Sequence, residues 1–299
     1  MPRTGLVLAR SGSTYHVATQ NGVVMAVLRG KAKQEDRDRV VVGDRVTLDR
    51  VDASAGIISS EPRRNVLERR SPNGRGARAV AANLDRVLVL VSVMSPKPNI
   101  GLIDRLLVTA EANDIPAGVV ITKIDLTTHA DLSHRFRAAG YPVWPVSIRT
   151  GEGIDELAAQ ISGHVTLLTG PSGVGKSSLL NRIQPGLSLK TGEISAKIQR
   201  GKNTTVTAVM VPLDRGGYLV DTPGFSDVGL WGIELRELAR CFPEMRRGID
   251  HCKFPDCQHL TEPGCAIRLS VEIGQIDPTR YESYRALLKD LAIAPKKWE

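Results

Sequence analysis

The chain has 299 residues, of which 41% are hydrophobic, so it is long enough for two or three domains with apolar cores. No apolar run approaches the roughly 18 residues of a membrane span and the first ten residues lack the pattern of a cleaved signal, which excludes membrane contact and favours the cytoplasm. The net charge of +8 is uneven, because residues 1–79 hold 15 Lys and Arg against 8 Asp and Glu. We therefore expect a soluble monomer with a basic N-terminal domain.

Residues 1–72 are predicted to form a small β-barrel of the oligonucleotide-binding (OB) type. Turn signals separate five short apolar segments, which are GLVLAR, STYHVAT, GVVMAVL, VVVGDRVTLDRV and GIISSEP. The basic excess of this region favours a phosphate-rich polymer as partner, although a merely solvated surface remains an alternative. Tyr15 is the only aromatic residue here, so we expect contacts to phosphates rather than stacking on bases.

Residues 73–230 are predicted to form an α/β domain with a mostly parallel sheet. The segment RRSPNGRGARA, residues 69–79, is basic and glycine-rich and is typical of a linker or a flexible loop. After it, consecutive apolar residues predict buried strands, with amphipathic helical segments such as LIDRLLVTAEAND and IDELAAQIS between several of them. The predicted strands are DRVLVLVSV, AGVVITKID, VWPVSI, HVTLLTG, TAVMVP and GYLVDTPG.

The first chemical motif in this domain is TKID, which is typical of the base-reading element of a GTPase. The carboxylate of Asp125 can accept hydrogen bonds from both N1–H and the exocyclic amine of guanine, whereas adenine offers neither group in that arrangement. The stem of Lys123 is expected to lie across the base, and Thr122 stands where Asn is more usual. Ser147, at a strand end about 20 residues later, is predicted to complete the base-binding turn.

The second motif, GPSGVGKS, fits G-x-x-x-x-G-K-[ST] and lies between an apolar strand and a predicted helix. Its glycines allow backbone N–H groups to converge on phosphates, and the positive end of the helix dipole adds to this attraction. Lys176 is predicted to reach the β- and γ-phosphates, and Ser177 to bind Mg²⁺. The predicted phosphate-binding residues are Gly170, Pro171, Ser172, Gly173, Val174, Gly175, Lys176, Ser177 and Ser178.

The third motif is DTPG, in which Asp221 is expected to support Mg²⁺ and the N–H of Gly224 to face the γ-phosphate. Upstream, the segment QRGKNTTVTAV resembles the loop whose threonine completes Mg²⁺ coordination when GTP is bound. We favour Thr205 over Thr204, while an ordinary β-branched strand start remains an alternative.

The residue after DTPG is Phe225, at a position where many GTPases carry the glutamine that orients the attacking water. Phenylalanine cannot orient water, so we predict weak hydrolysis by the isolated protein and acceleration by a partner.

The three motifs occur in a rotated order, because the base reader precedes the phosphate loop. A domain whose termini lie close together tolerates cutting at one loop and joining at another, so this order indicates a circular permutation. DTPG then becomes the exit of the domain, and the segment that follows it is predicted to move when that loop orders or relaxes.

Residues 231–299 are predicted to form a helical zinc-binding domain. Cys252, Cys257, His259 and Cys265 form C-x₄-C-x-H-x₅-C, a set that can close a tetrahedral shell around one structural Zn²⁺. His251 could replace His259, and Cys241 could replace a ligand. In the tail, an apolar stripe at helical spacing is expected to pack on the domain, and RNA contact by the adjacent basic face is a second possibility. The stripe comprises Tyr281, Tyr284, Leu287 and Leu288.

With these motifs, the chain resembles the ribosome-small-subunit-dependent GTPase A family (RsgA), a family of circularly permuted bacterial GTPases. The resemblance covers nearly the whole length and implies an OB barrel, a permuted GTPase domain and a zinc module. It implies binding of GTP and GDP with Mg²⁺, slow hydrolysis stimulated by the small ribosomal subunit, and a role in late maturation of that subunit. The barrel and the zinc domain are then expected to bind ribosomal RNA.

One position departs from the family pattern, because Asn203 stands where a histidine usually precedes the two threonines. Asparagine can orient a water but cannot take its proton, so a general-base role is not expected there. Two other functions remain alternatives: a P-loop ATPase or small-molecule kinase, and a zinc-dependent RNA-binding protein with a regulatory nucleotide site.

Overall fold

The computed structural model describes residues 3–30, 40–50, 55–70, 77–187, 208–222 and 233–293. Five N-terminal strands pair in the order β1-β2-β3-β5-β4, and β4 pairs back onto β1 to close a barrel. The parallel pairing of β3 with β5 and the antiparallel pairing of the other neighbours confirm the predicted five-stranded barrel. These strands are β1 (Arg3–Ser11), β2 (Thr14–Thr19), β3 (Gly22–Leu28), β4 (Arg45–Leu48) and β5 (Ala55–Ser60).

The barrel interior is filled by alternate side chains of its strands, among them Val7, Val17 and Ile57. Tyr15 belongs to this interior and is 1% exposed. Its ring is therefore not available to stack on a base, in agreement with the preference for phosphate contacts drawn from the composition.

The central sheet has the order β10-β9-β8-β11-β13-β12, in which only β12 is antiparallel to its neighbour. Buried apolar clusters cover both faces, which explains why its strands have consecutive apolar residues. The strands are β8 (Arg86–Ser92), β9 (Ala117–Thr122), β10 (Val143–Val146), β11 (Val165–Thr169), β12 (Val209–Pro212) and β13 (Tyr218–Asp221). The helices are α1 (Ile100–Glu111), α2 (Ala130–Ala138), α3 (Ile154–Ile161) and α4 (Lys176–Ile183).

The circular permutation is visible in the connections of this sheet. A GTPase domain of ordinary order would begin at β11 and end after α3. Here only residues 162–164 separate the end of α3 from the start of β11. The central sheet instead begins with β8 and ends with β13 in chain order, and these two strands flank β11.

The barrel and the central sheet are joined edge to edge. Ala9 of β1 pairs antiparallel with Val209 of β12, so the two sheets form one continuous set of eleven strands. Along β1, Val7 lies in the barrel core, whereas Leu8 belongs to the core of the central domain.

The predicted linker, residues 69–79, is wrong at both of its ends. Strand β6 (Val66–Arg70) pairs antiparallel with β7 (Ala77–Ala82), and Arg69 lies opposite Arg78. Local composition favoured a loop, but partner strands satisfy the backbone here, an effect that local propensity does not capture. The proposed boundary between residues 72 and 73 would fall in the connection of this hairpin, and it stays a prediction.

The C-terminal region is helical and packs on α1 and α2. It contains a 3₁₀ helix (Leu235–Cys241), α5 (Arg246–Ile249), α6 (Ala266–Glu272) and α7 (Pro278–Ile293). The predicted stripe of α7 is buried at Tyr284, Leu287 and Leu288 and packs on the 3₁₀ helix. None of the described helices combines the length and the apolar character that a membrane span requires.

A buried ion network joins this region to the central domain. Arg280 of α7 is fully buried and donates to Asp104 of α1 at 2.6 Å and to Glu244 at 2.6 Å. Arg135 of α2 donates to the other oxygen of Asp104 at 2.8 Å and to Asp277 at 3.3 Å. Burial alone would lower the pKa of Arg280, but the Asp104 and Glu244 carboxylates outweigh it and raise this pKa.

Candidate functional site

The site lies at the carboxyl ends of β8 and β11, which are neighbours at the centre of the sheet. From β8 the chain proceeds to β9 and β10 on one side, and from β11 it proceeds to β12 and β13 on the other. Such a switch point leaves a crevice between two diverging loops, where open α/β sheets bind their ligands.

The phosphate loop leaves β11 and enters α4. Gly170 has a φ of 146°, and a β-carbon there would lie 2.6 Å from the Leu90 carbonyl oxygen, so the close approach to β8 requires glycine. Gly173 and Gly175 have φ values of 76° and 101°, which turn the backbone N–H groups around the loop. Lys176 donates to the carbonyls of Gly170 at 2.6 Å and Pro171 at 3.0 Å, so its ammonium group lies inside the loop. Ser172, Ser177 and Ser178 are exposed.

The base-reading motif contacts the phosphate loop directly. The Thr122 hydroxyl, fully buried at the end of β9, donates to the Val174 carbonyl at 2.8 Å. Lys123 has a φ of 61°, and its ammonium donates to the Gly173 carbonyl at 3.0 Å and to the Ser95 carbonyl. Thr122 thus supplies the support that an asparagine would be expected to give. Motifs about 50 residues apart, in rotated order, lie side by side.

Asp125 is held by two partners from the turn after β10. Its Oδ1 accepts from the Ser147 hydroxyl at 2.6 Å and its Oδ2 accepts from Arg149 Nε at 2.8 Å. The hydrogen bond from Ser147, and then that from Arg149, lowers the pKa of Asp125 below its usual value and keeps the carboxylate ionised. The side chain of Asp125 is 9% exposed, so little of its carboxylate contacts solvent.

Asp221 ends β13 beside the phosphate loop. Burial raises the pKa of Asp221 and lowers the pKa of Lys176, and the charge of each group partly opposes the shift of the other. A half-buried carboxylate next to a half-buried ammonium is suited to a divalent cation and phosphates, whose charges would complete the balance. Asn203, Thr204, Thr205, Gly224 and Phe225 lie outside the described residues.

Sequence reasoning missed two contributors to this site. Ser95 lies on the segment after β8, and Arg149 follows Ser147 by two residues; both contact the base-reading motif. The rotated motif order could have indicated the Ser95 segment. If the phosphate loop and the base reader belong to one permuted sheet, β8 must lie beside β11. Nothing in the local sequence distinguishes Arg149 from a solvated surface arginine.

The cysteine cluster forms a second, separate site. The ligand atoms of Cys252, Cys257, His259 and Cys265 all lie within 4.8 Å of one another. His259 Nδ1 is 3.4 Å from the Cys252 sulfur and 3.5 Å from the Cys265 sulfur. Zinc bonds of about 2.3 Å to sulfur and about 2.0 Å to nitrogen, at tetrahedral angles, would hold S and N about 3.5 Å apart. The donor set therefore fits zinc.

The alternative ligands do not belong to this cluster. His251 is exposed, and the Cys241 sulfur lies in the 3₁₀ helix, where it donates to the Glu237 carbonyl at 3.6 Å. The loop that carries His259 is held by two tyrosines of helix α7. Tyr281 donates to His259 O at 2.5 Å, and Tyr284 donates to Gln258 O at 2.8 Å. These tyrosines fix the loop that carries the imidazole.

The ionisation of the cluster agrees with metal binding. Burial lowers the pKa of His259, which favours the neutral imidazole that binds metals. Burial also raises the pKa of the Cys257 thiol to about 12, so without a bound cation this thiol carries its proton. Metal binding must therefore release protons, and it weakens as the pH falls.

Comparison with known proteins identifies the family of this chain. The family model described as RsgA GTPase matches residues 60–231, which is more than half of the chain. A protein of Gemmatimonas aurantiaca named small ribosomal subunit biogenesis GTPase RsgA is 46% identical over 298 residues, covering 96% of this chain and 97% of its own. A protein of the same name from Bacteroides fragilis is 38% identical, with 96% of each chain covered.

Two solved structures share the architecture. The crystal structure of YjeQ from Thermotoga maritima has a TM-score of 0.81 and 33% identity, over 99% of this chain and 100% of that one. The structure of YloQ, described as a circularly permuted GTPase, has a TM-score of 0.77 and 25% identity, over 100% of this chain and 98% of that one. The three-part fold with a permuted central domain is therefore shared along the whole chain.

Proposed function

This chain belongs to the RsgA GTPase family, and from that premise we propose that it hydrolyses GTP to GDP and phosphate in late maturation of the small ribosomal subunit. The observation that carries the proposal is the hydrogen bond from Thr122 to Val174. It ties a guanine-type reader to a phosphate-binding loop, so that one guanine nucleotide can contact both.

The base would be read by Asp125, held ionised and oriented by Ser147. The ammonium of Lys123 is held by the phosphate loop, and its aliphatic stem would lie across the base. The hydroxyl of Thr122 would connect the base reader to the phosphate loop. The phosphates would lie in the loop of residues 170–178, where the ammonium of Lys176 would exchange its carbonyl partners for phosphate oxygens.

Mg²⁺ would be held by Ser177, with Asp221 supporting it, and would neutralise charge that develops on the phosphates during hydrolysis. Of the residues outside the described part, we propose Thr205 as the further Mg²⁺ ligand, Asn203 as a residue that orients water, and the Gly224 N–H as a γ-phosphate donor. Because Phe225 cannot orient water, hydrolysis would be slow until the ribosomal subunit stimulates it.

The flanking domains would bind ribosomal RNA. The barrel, proposed to comprise residues 1–72, has the basic excess that phosphate contacts need, and the domain of residues 231–299 adds a fold held by one structural Zn²⁺. The GTPase domain between them comprises residues 73–230. We place the protein in the cytoplasm, where small subunits mature, and we propose that it acts as a monomer.

The test is GTP turnover with and without purified small ribosomal subunits over a salt series. We expect slow turnover by the protein alone and a large stimulation by subunits that declines as salt rises, because phosphate contacts are screened. A lack of stimulation at every salt concentration would refute the ribosomal assignment and leave the GTPase assignment standing.

The two alternative functions are not favoured. An ATPase or kinase would have no use for Asp125 as it is held here, and competition between GTP and ATP for binding measures this directly. For the RNA-binding alternative, the variants Ser177→Ala and Asp221→Ala are decisive, because a protein with a merely regulatory nucleotide site would retain its biological activity. Zinc stoichiometry in His259→Ala tests the metal site, where we expect a clear loss of zinc.

A further inference from the structure

Asp125 already has a cationic partner in the structure. Arg149 donates from Nε to Oδ2 of Asp125 at 2.8 Å, and this is its one described hydrogen bond to the carboxylate. The Arg149 side chain is 73% exposed, whereas Asp125 is 9% exposed. A largely solvated cation thus contacts a largely shielded anion.

The backbone around Arg149 is fixed, so its side chain is the part that can move. The turn is closed by hydrogen bonds from Gly151 N to Ser147 O at 2.8 Å and from Thr150 N to Ser147 Oγ at 3.1 Å. Gly151 and Gly153 take positive φ values that keep this turn compact. The same turn therefore supplies both partners of Asp125, of which Ser147 is buried and Arg149 is mostly exposed to solvent.

Guanine needs the oxygen that Arg149 contacts. A carboxylate reads guanine by accepting N1–H on one oxygen and the exocyclic amine on the other, as two parallel bonds in one plane. Ser147 can donate to Oδ1 from behind, because each carboxylate oxygen has two acceptor positions. The guanidinium of Arg149 is largely solvated, so it lies on the side from which a base must reach Oδ2, and it therefore competes with the base for the outer acceptor position of this oxygen.

The contact is weak enough to be displaced. The strong form of an arginine–carboxylate pair is the two-bond fork, whereas here Nε makes a single bond and the guanidinium remains in water. Exposed ion pairs of this kind change an equilibrium constant by a factor of only about 1.4 to 5.

We propose that Arg149 is an internal competitor of the guanine base, an autoinhibitory contact that occupies the reading carboxylate and must leave it for a guanine nucleotide to bind. This proposal rests on the proposed function, because it deepens the base-reading role of Asp125. Arg149 thereby lowers the affinity for GTP and GDP alike and favours release of the nucleotide.

The experiment compares Arg149→Gln with the unaltered protein, using GDP that carries a fluorophore on its ribose. We expect the variant to bind this GDP about two- to fivefold more tightly, because binding no longer requires an exposed ion pair to be broken. Unchanged or weaker binding would overturn the proposal, and weaker binding would indicate that Arg149 contacts the base itself. Arg182→Gln, at an exposed position on α4 near the same turn, is the matched control for loss of one positive charge, and it should not tighten binding.

A second background isolates the contact with Asp125. Asp125→Asn should prefer xanthine nucleotides, because an amide can donate to the C2 carbonyl of xanthine, and its binding of labelled XDP shows that the site remains folded. In that background Arg149 has lost its anionic partner, so adding Arg149→Gln should leave XDP affinity unchanged. An equal tightening in both backgrounds would overturn the proposal. If the unaltered protein bound no guanine nucleotide, the proposed function itself would fail.

Discussion

The barrel and the zinc domain flank the same GTPase domain but are attached to it in different ways. The barrel is attached through main chain, where β1 continues the sheet beside β12, and through Leu8, which enters the central core. The zinc domain is attached through charged side chains, chiefly Arg280 on Asp104, and through Val108 of α1, which packs in the apolar core of that domain. One junction is a sheet edge and the other is a buried ion network.

The two junctions also lie on opposite ends of the nucleotide site. Strand β12 pairs with β13, which ends at Asp221 on the phosphate side. Helix α1 instead follows the Ser95 segment that contacts Lys123, on the base side. The barrel junction therefore lies on the phosphate side of the site and the zinc-domain junction on its base side. The motion of the segment after DTPG stays a prediction, because residues 223–232 lie outside the described part of the chain.

Zinc removal should have the largest effect, and it should act on the zinc domain and leave the GTPase domain folded. We expect a chelator to unfold residues 231–299 selectively, because structural zinc contributes apparent binding energies of about 10 kcal/mol or more near neutral pH. Since the thiol pKa of Cys257 is raised to about 12, ligand protonation competes with the metal, and zinc should be lost more readily as the pH falls. Metal content and circular dichroism over a pH series measure this, with labelled GDP binding as the control. Loss of GDP binding in parallel with zinc would contradict an independent central domain.

Breaking the ion network should have the next largest effect. Arg280→Met leaves Asp104 and Glu244 buried with fewer partners, so we expect the free energy of unfolding to fall by about 3–5 kcal/mol. Denaturant unfolding of the zinc-loaded protein measures it. Arg285→Met, exposed on the same helix, is the matched control and should cost no more than about 1 kcal/mol. Equal costs for the two variants would show that the network does not clamp the domain.

The barrel junction should be weaker. Leu8→Ala removes a side chain that β1 inserts into the central core, and because Leu8 retains slight exposure we expect a loss of about 2–3 kcal/mol. Val23→Ala, on the exposed face of β3, should cost less than about 0.5 kcal/mol. If Leu8→Ala proved as mild as this control, the Leu8 side chain would contribute nothing measurable to the junction.

The sequence predicted the elements of each domain but not the contacts at these junctions. Each element that carries a local signal was predicted, including the five barrel strands, the six sheet strands and the cysteine cluster, whose four ligands lie within 14 residues. Periodicity and ligand spacing are local properties, so one chain is enough to detect them. The rotated motif order even indicated the permuted topology, because a phosphate loop and a base reader must serve one nucleotide.

The contacts between domains had no such signal. Asp104, Arg135 and Arg280 are separated by up to 176 residues, and each resembles an ordinary charged residue on an amphipathic helix. The pairing of β1 with β12 adds a strand to a sheet edge, which periodicity within β1 cannot reveal. The hairpin of β6 and β7 was missed for a similar reason, because its residues favour a loop until their partners are present.

The smallest effect is expected from breaking the hydrogen bond between Thr122 and Val174, which connects the two ends of the nucleotide site. Thr122→Val keeps the shape of the side chain but leaves the buried Val174 carbonyl without this donor, so we expect unfolding to become easier by about 1–2 kcal/mol. Thr109→Val is the matched control: the Thr109 hydroxyl donates to Arg105 O within its own helix, so its loss should cost less. Because Thr122 holds the base reader against the phosphate loop, GDP affinity should also fall by up to about tenfold, and the control should leave it unchanged. Unchanged affinity in Thr122→Val would mean that Lys123 alone, through Gly173, keeps the two ends in register.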